Sequence, residues 1–147
     1  MKVLIINGPN LNLLGKRQSQ TYGIKSLKEI DTLLKEEAAS IVVDIATFHS
    51  NSEGAIIDFI QKEASKADGI VINPGALTHY GLSLRDALVD TGIPVIEIHI
   101  SNIYAREEWR HKSVIAPIAM GQISGLGWRG YIAALKTLVD ILNEESQ

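Results

Sequence analysis

Short apolar runs alternate along this chain with longer stretches in which apolar residues recur every three or four positions. Val3 to Ile6 is an unbroken apolar run, the mark of a strand covered on both faces. Ile41 to Phe48, Gly69 to Asn73, Pro94 to Ile100 and the shorter Gly121 to Ser124 also read as strands. Between them the period changes. Ser26 and Glu29 have the spacing of a capping box, and Leu27, Ile30, Leu33, Leu34 and Ala38 follow at helical intervals. Glu53 to Lys66, with Ile56, Ile57, Phe59 and Ile60 inside it, predicts a second helix, and Leu82 to Val89 a third. A last helix over about Trp128 to Leu142 puts Tyr131, Leu135, Leu138, Val139 and Leu142 on one stripe. Strand followed by helix throughout predicts an α/β fold, a parallel sheet with helices on both faces and right-handed crossovers.

The connections are unequal. Those leading from helix to strand, near Ala39-Ser40, Ala67-Asp68 and Thr91 to Ile93, are short and chemically plain. Those leading from strand to helix are long and polar: Asn7 to Gly23, His49 to Ser52, Asn73 to Gly81 and Ser101 to Ser113. In a parallel sheet these loops share one rim, at the carboxyl ends of the strands, where open α/β sheets bind ligands. An active site is expected there.

Composition narrows the chemistry. At 147 residues, 46% hydrophobic and 21% charged, the chain is expected to form one domain over 1–147. A net charge of −3 without a run of Lys or Arg points to no nucleic-acid partner. The absence of cysteine removes disulfides, thiolate catalysis and cysteine metal sites. "MKVLIING" is too short an apolar segment for a signal peptide, and no run has the length of a membrane span. A cytoplasmic protein without a membrane partner is expected.

The first loop nearly matches a phosphate-binding motif. Gly15-Lys16 would end a GxxxxGK[ST] pattern, but Asn10 stands where its first glycine belongs and Arg17 where its Ser or Thr belongs. GxGxxG is missing as well. Glu97 and His99 are one residue apart on a strand, so their side chains share a face. They read either as a satisfied ion pair or as a general acid oriented by a carboxylate. Arg17 and Tyr22 share the first loop. A tyrosine ordinarily ionises near pH 10, so forming a phenolate at pH 7 costs roughly 4 kcal/mol, and a nearby cation offsets much of that. From these residues alone, a surface tyrosine and a solvated arginine are the simpler reading.

Asn73, Thr78 and His79 lie in "NPGALTHYG", where Pro74-Gly75 makes a turn. The backbone around Ser101 and Asn102 could receive a carboxylate, and Arg110 suits a hydroxyl or carboxylate. His49, His79, His99 and His111 show no metal-binding spacing. No lysine lies within a predicted strand or soon after one, save Lys112 far along its loop, so a Schiff-base amine is lacking.

"INGPNLNLLG" with Arg17 and Tyr22, "NPGALTHY" with "LRDAL", and "PVIEIHISNIYAREEWRHKSVIAP" with "GQISGLG" together resemble the type II 3-dehydroquinate dehydratases. The resemblance spans essentially the whole chain. It implies a flavodoxin-like three-layer sandwich around a five-stranded parallel sheet, and a cofactor-free, metal-free enzyme of the shikimate pathway. It also implies a homododecamer of four trimers. Position by position, it makes Tyr22 the base, Arg17 the cation beside it, and His99 the general acid oriented by Glu97. Asn10 would hold the network that stabilises an enolate. Asn73, His79 and Arg110 would bind substrate hydroxyls, the backbone of Ile100 and Ser101 the carboxylate, and Asp86 would reach a neighbouring subunit's site. Under this resemblance Tyr22 is no longer a plain surface residue.

The chain departs from the family pattern at Gln18-Ser19, where Glu-Pro is usual, and at His49 and Ser52, where Gln and His are usual. Two rival readings differ in class. A flavin-binding or phosphoacceptor module would purify yellow or need acidic residues after the first strand, where Asn7 and Asn10 stand. An aldolase-like Schiff-base enzyme would need a buried amine.

Overall fold

The computed structural model describes residues 1–147 and holds one sheet of five strands, every neighbouring pair parallel. The strands are β1 (Lys2–Asn7), β2 (Asp44–His49), β3 (Gly69–Asn73), β4 (Val95–His99) and β5 (Gly121–Ser124), in spatial order β2-β1-β3-β4-β5. The helices are the single turn α1 (Ser19–Tyr22), then α2 (Leu27–Ser40), α3 (Glu53–Glu63), α4 (Leu82–Thr91) and α5 (Arg129–Glu145). No helix is long and apolar enough to cross a membrane.

Strand alternation divides the apolar residues into two cores. Val3, Ile5, Val71, Ile96 and Ile98 meet Ile30 and Leu34 of α2 and Leu135 and Leu138 of α5. Leu4, Ile6, Ile70, Ile72 and Val95 point the other way, onto Ile56 and Ile60 of α3 and Leu84 and Leu88 of α4. Each fully buried Leu or Ile contributes about 1.5–3 kcal/mol by leaving water. The consequence is the three-layer, flavodoxin-like arrangement that the resemblance implied, in the 2-1-3-4-5 strand order of that fold.

The capping box forms in full: Glu29 N–H donates to Ser26 Oγ at 3.2 Å, and Ser26 N–H donates to the Glu29 carboxylate at 2.7 Å. The second strand begins at Asp44, three residues later than its apolar pattern predicts. Val42 takes a left-handed φ of 57°, its N–H donates to the Ala39 carbonyl at 3.3 Å, and Val43 N–H donates to Ala38 at 2.9 Å. This Schellman closure of α2 takes Ile41 to Val43 for a turn, and a β-branched residue sits where glycine is usual. Glu53–Glu63 is followed by a 3₁₀ turn over Ala64–Lys66, and α4 runs on to Thr91, where Gly92 at φ 67° ends it. Lys2, outside the predicted first strand, opens β1; its amine lies 3.4 Å from Glu63 at the amino end of the sheet.

The carboxyl ends of the strands share one rim. His49, Asn7 and Asn73 stand in register across β2, β1 and β3. The long first loop is partly ordered by its own backbone, with a 3₁₀ turn over Leu11–Leu13 before α1.

Candidate active site

A cavity of about 140 Å³ opens at this rim, and Asn10, Arg17, Tyr22, Asn73, His79, His99 and Arg110 line it, as do Ile100 and Ser101. Asp86 is not among its walls; it lies exposed on α4. Every other predicted site residue except Glu97 reaches the cavity, and Glu97 stands directly behind His99.

Glu97 and His99 leave β4 on the face opposite Ile96 and Ile98, toward the α3 and α4 layer. Glu97 is wholly buried. Its Oε1 lies 3.5 Å from His99 Nε2, and Nε2 has no other partner. The same carboxylate accepts hydrogen bonds from Thr78 Oγ1, from Ser113 Oγ at 2.7 Å and from Gln122 Nε2. Burial acts to raise the Glu97 carboxyl pKa, but His99, Thr78 and Ser113 outweigh it and the net shift is downward. The result is a fixed negative charge behind an imidazole at the cavity wall.

Arg17 and Tyr22 come together across the first loop. The Arg17 guanidinium carbon lies 4.4 Å from the centre of the Tyr22 ring. Arg106, which the sequence reading passed over, lies 5.1 Å from the same ring and donates from its guanidinium to Ser101 Oγ at 3.1 Å. Arg110 is held differently: it donates to Glu107 and stacks 4.0 Å from the Trp109 ring centre. Tyr22 packs against the α2 and α5 core, whereas His99 arrives from the α3 and α4 side. A phenol and an imidazole thus approach the cavity from opposite faces of the sheet.

Two loops close the floor. Gly75 has φ 58°, and a Cβ there would meet the Pro9 carbonyl oxygen at 2.9 Å, so backbone lies on backbone. Asn10, left-handed at φ 69°, follows Pro9 and donates its N–H to Asn51 Oδ1 at 2.8 Å. His79 Nδ1 lies 2.8 Å from the Lys112 carbonyl oxygen, which can only accept, so Nδ1 carries the proton. Burial, the Lys112 bond notwithstanding, lowers the His79 pKa, aided by the charges of His99 and Arg110. The ring is therefore neutral at pH 7 and offers Nε2 as an acceptor. The Ile100 and Ser101 N–H groups donate to no protein acceptor, which leaves two adjacent amides for an anion.

A buried carboxylate–imidazole pair, a tyrosine ring beneath two guanidinium groups and a pair of free amides share one cavity, an arrangement suited to acid–base chemistry on a small anion. The family model for class II dehydroquinases matches residues 1–139. This chain belongs to the class II dehydroquinase family. Among members of the family, a 3-dehydroquinate dehydratase from Roseiflexus castenholzii is 59% identical over 139 residues, covering 95% of this chain and 88% of that protein. A 3-dehydroquinate dehydratase from Halothermothrix orenii is 50% identical over 145 residues, covering 99% and 98%. The crystal structure of the type II dehydroquinase from Butyrivibrio crossotus superposes with a TM-score of 0.93 at 48% identity, covering 95% of this chain and 97% of the other.

Sequence reading missed Arg106, Ser113 and Gln122 and left Thr78 as an ordinary polar loop residue. Only the presence of two arginines in "AREEWR", of which Arg106 is the first, offered a signal for Arg106.

Proposed function

We propose that this chain catalyses the trans-dehydration of 3-dehydroquinate to 3-dehydroshikimate, a hydro-lyase step of the shikimate pathway toward aromatic amino acids. Residues 1–147 act as a single catalytic domain. One observation carries the reading: Tyr22 beneath Arg17 and Arg106 faces the same cavity as His99 backed by Glu97. The substrate ketone acidifies the neighbouring C–H. Tyr22 as phenolate takes that proton, and the electron pair moves into an enolate. The enolate then collapses, the C–O bond breaks, and His99 gives its proton to the departing hydroxyl, which leaves as water. Electrons and protons balance within substrate and enzyme, so the step needs no cofactor. Asn10 stabilises the enolate network, and stabilisation of that developing oxyanion is the largest catalytic contribution.

The free amides of Ile100 and Ser101 take the substrate carboxylate, and Asn73, His79 and Arg110 hold hydroxyls. His79, neutral with Nε2 free, accepts from a hydroxyl. Asp86 acts at a neighbouring subunit's cavity. Its position supports this: Leu82 and Val89, one helical turn to either side, are 61% and 52% exposed and form an apolar stripe suited to burial between copies. The assembly is a homododecamer of four trimers, working in the cytoplasm.

The test is the rise of ultraviolet absorbance from the conjugated enone when 3-dehydroquinate is added. Neither borohydride treatment in the presence of substrate nor EDTA should inactivate the enzyme, since no imine and no metal take part. Covalent trapping on a lysine would refute the enolate scheme and favour the Schiff-base alternative.

The first loop is the lid of this site, ordered by an anion reaching Arg17. Between residues 15 and 20 it buries no side chain, so little offsets its ordering entropy. Ser19 is the first residue of α1, where proline's fixed φ is favoured and its missing N–H is harmless. Ser19→Pro should therefore reduce KM by about twofold to fivefold with kcat little changed, through a less disordered open loop. Hydrogen exchange over residues 14–22 should slow on adding a substrate-like carboxylate. Equal protection with and without that ligand would rule out a lid.

A further inference from the structure

Tyr131 lies on α5 with its side chain fully buried. Its hydroxyl touches two asparagines at the strand ends, Asn7 Oδ1 at 2.6 Å and Asn73 Nδ2 at 3.0 Å. One fixed donor sets the direction of every proton in this group. Gly75 N–H lies 3.1 Å from Asn73 Oδ1, and a backbone amide can only donate, so this atom is the carboxamide oxygen. The Asn73 amide nitrogen therefore faces Tyr131 and donates to it. The single Tyr131 proton then goes to Asn7 Oδ1. Burial pushes the Tyr131 phenol far up, so it stays neutral and the direction does not reverse with pH.

We propose that Tyr131 is a positioning residue for catalysis, locking the Asn73 carboxamide so that its second Nδ2 hydrogen meets a substrate oxygen in the cavity. Asn73 lines the cavity, and its amide nitrogen has no protein acceptor besides Tyr131. The same hydroxyl ties Asn7 to Asn73, neighbours in the β1–β3 register. The loops that follow these asparagines meet at Pro9 and Gly75 and carry Asn10 and His79. A core phenol thus fixes a donor and two loops of the site without touching substrate itself. Its place in the apolar stripe of α5 disguises this, because the ring serves the core while the hydroxyl serves the rim.

The inference rests on the dehydratase reading above, and the test separates the two. Wild-type turnover of 3-dehydroquinate tests that reading; a double-mutant cycle between Tyr131 and Asn73 tests this one. Tyr131→Phe keeps the ring and should lower kcat/KM about tenfold, with far-ultraviolet circular dichroism and oligomer size unchanged. In an Asn73→Ala background the same change should cost less than about twofold, because its route to the substrate is gone. Should Tyr131→Phe fail to fold, Asn7→Ala removes the acceptor of the tyrosine proton and leaves the ring in place. Its smaller loss should likewise vanish in the Asn73→Ala background. Equal losses in both backgrounds, or no loss in the native one, would overturn the proposal.

Discussion

Tyr22→Phe is expected to lower kcat by at least about a hundredfold, the usual consequence of losing a general base. The substitution removes one oxygen and keeps the ring that Arg17 and Arg106 cover. Those contacts do not need the hydroxyl, so far-ultraviolet circular dichroism and oligomer size should match the wild type. What is lost is the hydroxyl of a ring that two cations cover at the cavity. A phenolate needs that positive charge, and a phenylalanine cannot use it. Steady-state turnover by enone absorbance measures the effect. A variant keeping more than about a tenth of the wild-type rate would remove Tyr22 from the role of base.

Glu97→Gln should act on both catalysis and stability. The carboxylate accepts from Thr78, Ser113 and Gln122 and lies 3.5 Å from His99. A carboxamide offers one acceptor atom where the site supplies donors to both oxygens, so at least one buried donor loses its partner. The expected destabilisation is about 2 kcal/mol, read by denaturant unfolding. Losing the charge behind His99 should lower kcat on the order of a hundredfold with less effect on KM. The alkaline limb of the kcat profile belongs to the coupled pair and should move to lower pH. A linkage effect accompanies this. The folded Glu97 pKa lies below the ordinary 4.5, so its stabilisation is present above that value and is lost as pH falls through the lower folded one. Glu97→Gln should lack this acid-sensitive portion. An unchanged kinetic profile would make Glu97 a purely structural residue.

The sheet was legible because a doubly covered strand must be apolar on consecutive positions, as Val3 to Ile6 and Ile70 to Ile72 are. The start of β2 was not, since Ile41 to Val43 are as apolar as a strand and yet close a helix. Glu97 and His99 could be paired because two positions on one strand must share a face. The donors that hold Glu97 could not. Thr78, Ser113 and Gln122 come from three separate segments, and only the folded loops bring them to one carboxylate. The two arginines of "AREEWR" differ in the same way. Arg110 is drawn to Glu107 and Trp109, and Arg106 to Ser101 and Tyr22, a choice made by loop geometry that spacing does not encode. Tyr131 was read as core, and its ring is core; the use of its hydroxyl depends on two asparagines from distant strands.

The central claim is a base and an acid acting from opposite faces of one substrate. The most direct measurement uses 3-dehydroquinate carrying deuterium stereospecifically at the carbon between the ketone and the carbon bearing the departing hydroxyl, with the product analysed by mass spectrometry. Removal by Tyr22 from the face opposite the hydroxyl that His99 protonates predicts loss of the label anti to that hydroxyl and retention of the label syn to it. Loss of the syn label, or no turnover of either substrate, would contradict the account.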